Sequence, residues 1–471
     1  MASRYKALLK DTLIFAIGSI GTKLILFLMV PLYTNYMSSA EYGTADLIFT
    51  IAQLMTSFLS IVIFDAVIRF GLSSREKREN VLFVGFVVLF FSAISGAIIT
   101  PVIGLYKTIT EWKWYLYIYV LASILYSIEF NYLKVLGRNR QYAALNIFQT
   151  GLMACLNVYF LVIKSLGVRG YLLAYIISTL VVDFIAFVKE KLWQDLLRAK
   201  FDGVLFRDMV LYSAPLILNN VSWWVIHSSD KIMVEIMVST AALGVYTAAA
   251  KIPALINVVV SVFQQAWGIS AIKEIESENE NAYYSDVLKY LFLFTSGICI
   301  FFVSIIKIFM HYYIGSAFSD AWHYVPLLLV SAVFSAVASY YGSMYGALKK
   351  SINNMLTTLL AAAINIAING LLIPTTGIWG AVIGTVVAYI VVAFARMADV
   401  NRYLEITVNW KTFIATCGII IGQAIAVSLD FHIGLCSVVA AVAFILFNRD
   451  DLSSLFKKII TLMMTKHKEA S

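Results

Sequence analysis

Apolar segments of about twenty residues recur from one end of the chain to the other, and that recurrence dictates the fold class. Each is long enough to cross about 30 Å of hydrocarbon as an α-helix. Backbone N–H and C=O groups find no water there, so a crossing segment must satisfy its own as a helix. Hydrophobic residues make up 61% of the 471 and charged residues only 13%, against roughly 25% charged in soluble domains. An all-α polytopic membrane protein is therefore predicted, with about fourteen transmembrane helices. The spans run near 11–34, 43–69, 81–104, 114–134, 143–163, 169–188, 209–229, 243–270, 287–310, 322–347, 352–373, 376–396, 411–429 and 431–447. The first is too long for a cleaved signal peptide and lacks a small-residue cleavage site, so it is expected to remain as the first helix.

Loop charge sets the orientation. With the N-terminus placed in the cytoplasm, 27 of the 35 Lys and Arg fall on that side, in loops, tails and span ends. The outer loops hold five (Lys107, Lys113, Lys164, Arg169 and Lys231), and Lys23, Lys251 and Lys307 lie inside spans. That asymmetry predicts a multi-pass plasma-membrane protein with both termini cytoplasmic. It also accounts for the net charge of +8, so no nucleic-acid partner is implied. The four cysteines (Cys155, Cys299, Cys417 and Cys436) all lie in apolar spans without metal-ligand spacing. They read as packed thiols, and neither a disulfide framework nor a metal site is expected.

A weak internal repeat organises the spans. Ser39-Ala40-Glu41-Tyr42-Gly43 lies over Thr240-Ala241-Ala242-Leu243-Gly244 at an offset of 201. Asn146 and Asn157 lie over Asn354 and Asn365 at an offset of 208, and Gly167 and Gly170 over Gly377 and Gly380 at 210. Six spans per copy is an even number, so both copies enter the membrane in the same direction. Two parallel six-helix bundles are expected, with cargo handled between them. The predicted organisation is an N-terminal bundle over 1–188, a cytoplasmic interfacial linker over 189–208 and a second bundle over 209–397. Two extra transmembrane helices over 411–447 and a cytoplasmic amphipathic tail over 448–471 complete it. The linker and tail mix apolar residues with Lys and Arg, the pattern of helices lying on an anionic leaflet.

The residues most expensive to bury point to cargo. Lys23 sits mid-span, where an ammonium costs roughly 2.5 to 3.5 kcal/mol or more. Thr12, Ala16, Ser19 and Lys23 share one helix face, opposite Leu13, Ile17, Leu24 and Leu28. This face suits either an anionic ligand or an ion pair with a neighbouring helix. Asp65 and Arg69 are four residues apart at the end of the second span, which fits an intrahelical pair or an arginine that meets a phosphate. Span seven carries Pro215, Asn219, Asn220 and Trp223 and closes on Asp230-Lys231. Its amides and indole suit a sugar path, and Pro215 is expected to bend it. Span eight carries Lys251, Gln264 and Gln265 on a second polar stripe. Glu129, Asp183, Asp65 and Asp230 are candidates for ion pairing with these cations or for ion coupling. Gly342 and Gly346 have the spacing of a close helix approach, an unspecific signal. The chain shows no P-loop, no dinucleotide fingerprint and no nucleophile–base arrangement, so a transporter is expected rather than an enzyme, with no cofactor.

The stretches "LIFAIGSIGTKLILFLMVPLYTNYMSSAEYGTADL" and "AVIRFGL" resemble the start of the bacterial polysaccharide repeat-unit flippases. "YSAPLILNNVSWWVIHSSDKIMV", "ALGVYTAAAKIPALI" and "FQQAWGIS" are similar to that family's seventh and eighth helices. The resemblance implies a member of the multidrug/oligosaccharidyl-lipid/polysaccharide exporter superfamily. It implies export of undecaprenyl-diphosphate-linked oligosaccharides for a surface polymer such as a capsule or exopolysaccharide. Lys23, Arg69, Lys251 and Lys231 would then meet the diphosphate, and Asn219, Asn220, Trp223, Gln264 and Gln265 would line the cavity. The last two spans would offer the lipid tail a groove, as in related peptidoglycan-precursor flippases. Partners would be the lipid-linked oligosaccharide, membrane lipids, and polysaccharide polymerase and chain-length proteins. Two positions depart from the family: Leu218-Asn219 where Pro-Asn is common, and Lys231 where Arg is common, which removes a bidentate phosphate contact.

Two other functions fit part of the sequence. A cation-coupled multidrug antiporter would share the fold, but it favours a carboxylate where the first span has Lys23. A membrane glycan polymerase or ligase presents a large outer loop, whereas the longest outer loops here are about a dozen residues.

Overall fold

A computed structural model of the protein describes residues 21–73, 77–274, 280–348 and 350–454. Among them the backbone is helical almost throughout, without a strand. The chain divides into two compact units, Met1–Thr247 with Gly315–Ala317 and Ala248–Ile314 with Phe318–Ser471. The first contains residues 21–28, which are helical, then α1 (Val30–Tyr36), α2 (Ser39–Leu59), α3 (Ile63–Gly71) and α4 (Arg78–Ile103). It continues through α5 (Lys113–Val135), α6 (Asn139–Asn157), α7 (Gly167–Lys189), α8 (Leu192–Arg198) and α9 (Gly203–Met237), and takes the start of α10 (Thr240–Glu274). The second holds the rest of α10, α11 (Glu280–Tyr313), α12 (Val325–Ala347), α13 (Ser351–Thr376), α14 (Ile378–Val400), α15 (Trp410–Ser428) and α16 (Ile433–Phe447).

Ten described helices are long and apolar enough to cross a membrane, or eleven if α2 and α3 count as one bent span. The protein is an all-α, multi-pass membrane protein. The expected count of fourteen is not reached for identifiable reasons. Residues 1–20, most of the first span, lie outside the described residues. Helix α9 is 35 residues long but several of its side chains lie outside the described residues, and α16 has only 15 residues. The second span, expected as one helix, is broken.

That break is the main local departure from the hydropathy pattern. Helices α2 and α3 meet at 53°. Between them Ile61 and Val62 take left-handed φ values of 51° and 55°. Both residues are β-branched, so this conformation is strained and needs support from its surroundings. Ser60 Oγ accepts from Val62 N–H (3.1 Å), and Ser92 Oγ of α4 donates to the carbonyl of Leu59 (2.7 Å). These hydroxyls satisfy backbone groups that the broken helix leaves open. The α2 start, by contrast, is written locally. Ser38 accepts from Glu41 N–H while Glu41 accepts from Ser38 N–H, a reciprocal capping box.

Within the first unit, rings of Tyr33, Tyr42, Phe49, Tyr119, Tyr171 and Tyr175 pack edge-on and tilted at 4.6–6.4 Å. They fasten α1, α2, α5 and α7 together. At the end predicted to face the cytoplasm, short α8 buries Leu192 and leaves Leu197 exposed. It is held by Tyr132 Oη donating to Asp195 (3.0 Å), with the Arg138–Glu190 ion pair (2.7 Å) just before it. The tail beyond residue 454 lies outside the described residues.

In the second unit α12 is the most enclosed span, packed between α11, α14 and α15. Arg396 of α14 is buried beside it, at 6% exposure. Its guanidinium donates to the Ala338 carbonyl (2.8 Å), Thr358 Oγ1 (2.7 Å) and Thr357 Oγ1 (3.1 Å). A side chain at Gly342 would collide with Arg396 Nη1. Gly342 therefore makes room for a guanidinium, while Gly346 has nothing within 4 Å.

Candidate functional site

Polar side chains gather in the first unit where α2, α9 and α10 meet. Lys231 Nζ lies 2.9 Å from Asp46 Oδ2, and Thr247 Oγ1 donates to the same oxygen at 3.0 Å. Tyr246 donates a short hydrogen bond to Asp230, whose other oxygen accepts from Lys231 N–H (2.9 Å). The ion pair is well covered, with side-chain exposures of 22% for Lys231 and 13% for Asp46. A lysine and a carboxylate so enclosed hold each other ionised, since either alone would bear its full desolvation cost. Trp224 Nε1 adds a bond to the Thr50 carbonyl (2.8 Å), tying α9 to α2 one turn beyond Asp46.

The repeat explains the layout. Asp46 and Thr247 stand 201 residues apart, the offset that aligns the two turns. Gly43 and Gly244 are related in the same way and face each other. A Cβ on Gly43 would fall inside the Thr240 carbonyl oxygen, and one on Gly244 inside the Ser39 carbonyl oxygen. Residue i thus meets the partner of j and the reverse, as in a two-fold contact. Only glycine allows backbones so close. Beside this contact, Glu235 near the end of α9 accepts from Tyr106 in the α4–α5 loop and from Thr108 Oγ1 at 2.9 Å. Burial, reinforced by that carboxylate, pushes the Tyr106 phenol up to about 12, so it remains a donor at any physiological pH.

The other residues singled out in the sequence are dispersed. Lys23 is exposed and has no ion pair with a described residue, including Asp65 and Glu129. Arg69 on α3 is also exposed and does not pair with Asp65; the cation that Asp65 interacts with is Lys134 of α5. Lys251 is half-buried in the second unit and is engaged by other residues. Asn220 and Gln264 are half-buried, and the side chains of Asn219, Trp223 and Gln265 lie outside the described residues. Glu129 and Asp183 are buried in the first unit, without an ion pair among the described residues. Two functional-looking residues, Asp46 and Arg396, escape a sequence reading. The 201-residue offset could have exposed Asp46, since it sits opposite Thr247; Arg396 reads as one more loop charge.

An apolar groove of about 510 Å³ runs along the second unit between α10, α11 and α16, lined by Leu255, Val259, Gly297, Phe301 and Phe444. A second cavity of about 290 Å³ lies near the starts of α11 and α15, where Lys289 bridges Asp286 (3.2 Å) and Asp451 (3.4 Å).

No curated protein matches the sequence. Among solved structures the chain is similar to the lipid II flippase MurJ in an inward closed conformation. The TM-score is 0.71 at 13% identity, covering 94% of this chain and 100% of that one. It is also similar to a transporter of the MOP superfamily from Pyrococcus furiosus, with TM-score 0.58, 17% identity and coverages of 84% and 96%. A MATE transporter from Vibrio cholerae matches with TM-score 0.56, 15% identity and coverages of 86% and 98%. At these identities the likeness establishes a shared fold. The family model for polysaccharide biosynthesis proteins matches residues 8–269, more than half of the chain, and the protein belongs to that family.

Proposed function

We propose that this chain is a flippase. It moves undecaprenyl-diphosphate-linked oligosaccharide units from the inner to the outer leaflet by alternating access, for assembly of a surface polysaccharide. The observation that carries this reading is Lys23, an ammonium deep in an apolar span, exposed and without an ion pair among the described residues. A membrane protein keeps such a group where water or an anion meets it. A diphosphate is an anion of the right kind, delivered at membrane depth by its own lipid. Arg69, also exposed and unpaired among the described residues, suits a phosphate oxygen pair through its planar fork.

The tail needs different chemistry. The groove between α10, α11 and α16 is apolar along its length, and a polyprenyl chain occupies it without desolvating a polar group. Lys251, Asn219, Asn220, Trp223, Gln264 and Gln265 belong to the path of the glycan, and Lys231 reaches the diphosphate only when it leaves Asp46. Polymerase and chain-length proteins receive the product at the outer face, and both termini stay in the cytoplasm. Family membership and the flippase-like fold support this reading.

The test is a strain lacking the chromosomal copy. Lys23→Ala is expected to abolish export of the glycan, and Lys23→Arg to retain part of it. Normal surface polysaccharide from a well-expressed Lys23→Ala protein overturns the contact with cargo. Purified protein in liposomes containing undecaprenyl-diphosphate-linked oligosaccharide gives the direct readout, as glycan that becomes accessible on the opposite leaflet. Drug-dependent cation exchange without any flipping points to the antiporter reading instead.

A further inference from the structure

At the end of the second unit predicted to face the cytoplasm, three elements close around the cavity of about 290 Å³. They are the first turns of α11, the segment leading from α14 into the first turn of α15, and the end of α16 with the residues after it. The predicted spans begin near 287 and 411 and end near 447, so this meeting point lies at the edge of the hydrocarbon. Hydrogen bonds fix its frame. Thr407 donates to Ser285 Oγ through both its N–H (2.9 Å) and its hydroxyl (3.1 Å), and Asn409 caps α15 by accepting from Thr412 N–H. Asn448 is buried and donates to Thr416 Oγ1 (2.9 Å), and Tyr290 meets Ser454 at 3.1 Å.

The lining divides into a polar and an apolar half. Lys289 lies between Asp286 (3.2 Å) and Asp451 (3.4 Å), all three partly exposed. One turn further into the membrane, Phe292 of α11 and Phe413 of α15 are buried with their rings stacked at 4.4 Å. Two carboxylates share one ammonium, so the polar half carries a formal charge of −1. An anion is a poor occupant, because it would meet two acids and a lysine that they already share. A divalent metal fits no better: Lys289 stands between the carboxylates, and the described residues include no group of three acids, His or Cys able to hold one. A second ammonium does fit, since each carboxylate then has a cation of its own. A soluble amine would leave Phe292 and Phe413 unused, whereas a lipid brings its own apolar part to them.

We propose that this cavity binds the headgroup of a phospholipid with a primary ammonium, of the phosphoethanolamine class. The ammonium donates to Asp286 and Asp451. The phosphate, two carbons away, turns to Lys289 and to the α15 start, where helix N–H groups are open and Lys411 is exposed. The glycerol end lies on Phe292 and Phe413, and the acyl chains leave along Trp410 and Ile414, exposed on α15 beside Phe413. The size agrees: the volume falls just below the range of about 300–1,000 Å³ typical of small-molecule sites, which leaves the acyl chains in the bilayer. Bound there, the lipid fastens α15 and α16 to α11. The site is independent of the cargo proposed above.

Native mass spectrometry of the full chain, titrated with phosphatidylethanolamine, phosphatidylcholine and phosphatidylglycerol, tests the assignment. The ethanolamine lipid should bind at least about tenfold more tightly than the choline lipid, whose trimethylated nitrogen has no N–H to donate, a difference of about one charge-assisted hydrogen bond. It alone of the three should raise the unfolding temperature of the wild type. Asp286→Asn combined with Asp451→Asn should bring the ethanolamine and choline lipids level. Should the double variant fail to fold, Asp451→Asn alone is expected to narrow the preference. Equal binding of the ethanolamine and choline lipids by the wild type, or a preference for the anionic glycerol lipid, overturns the proposal. An ethanolamine preference that survives unchanged in the folded variants places the lipid elsewhere and overturns this site. Displacement of the lipid by an equal concentration of free phosphoethanolamine points to a soluble amine and overturns the lipid assignment.

Discussion

Two acid clusters in the first unit are built in opposite ways. Around Asp46 and Asp230 each carboxylate has a partner: Lys231 and Thr247 for one, Tyr246 and the Lys231 N–H for the other. Around Glu129 and Asp183 three of the four oxygens have no partner among the described residues. The first arrangement keeps its charges and uses them to hold three helices in register. The second offers three of its four carboxyl oxygens no such bond among the described residues. Burial of an acid therefore says little by itself; the partner supply decides whether it can fasten helices together.

Removing the cation from the satisfied cluster should have the largest effect. Lys231→Met leaves Asp46 enclosed without a counter-charge, and loss of one member of a buried pair typically costs about 3–5 kcal/mol. Partial exposure of both side chains places the expected loss near the lower figure. Thermal unfolding of the purified protein in detergent measures it. The double variant Asp46→Asn with Lys231→Met should recover much of the loss, because neither half of the ion pair is then left without the other. If the double variant is as unstable as the single one, the pair is not the fastener described here.

Next comes the glycine contact beside it. Gly43→Val places a branched side chain where the Thr240 carbonyl already stands. The backbone has to yield, so a destabilisation at or above the overpacking range of about 1–3 kcal/mol is expected. The same substitution at Gly346, which has open space, is the control. Little or no loss is expected there, since a side chain meets no neighbour and valine has a slightly better helix propensity than glycine. Equal losses at the two positions would mean that the close approach at Gly43 is not what matters.

How much of this was written in the sequence depends on how local each feature is. Spans are legible because lipid imposes one requirement, about twenty apolar residues, on each helix that crosses it. The α2 start is legible in Ser38 and Glu41, three residues apart. The α2–α3 break is not, since Ser60-Ile61-Val62 has neither Gly nor Pro and its support, Ser92, comes from another helix. Lys231 was legible as an intramembrane cation but not as the partner of Asp46, 185 residues away. Arg396 reads as a loop charge because hydropathy averages it with its neighbours, whereas two threonines of α13 and a carbonyl of α12 receive it. Glu129 and Asp183 were visible as acids in spans, but their lack of partners is a property of the packing alone.

The smallest predicted effect tests the comparison most directly, because it applies one chemical change to both clusters. Replacing a carboxyl by its amide keeps the shape and removes the capacity to ionise. At Asp46 that change takes away a charge that Lys231 needs, so Asp46→Asn should destabilise by about 2–3 kcal/mol through the unpaired ammonium. At Asp183 no bond among the described residues depends on the carboxyl oxygens, so Asp183→Asn should change stability by no more than about 0.5 kcal/mol. Unfolding curves at neutral pH compare the two directly. A large loss at Asp183 would mean that its carboxylate is ionised and stabilising, which requires a cation beside it. In that case the two clusters would be alike, and the distinction between a partnered and an unpartnered acid would disappear.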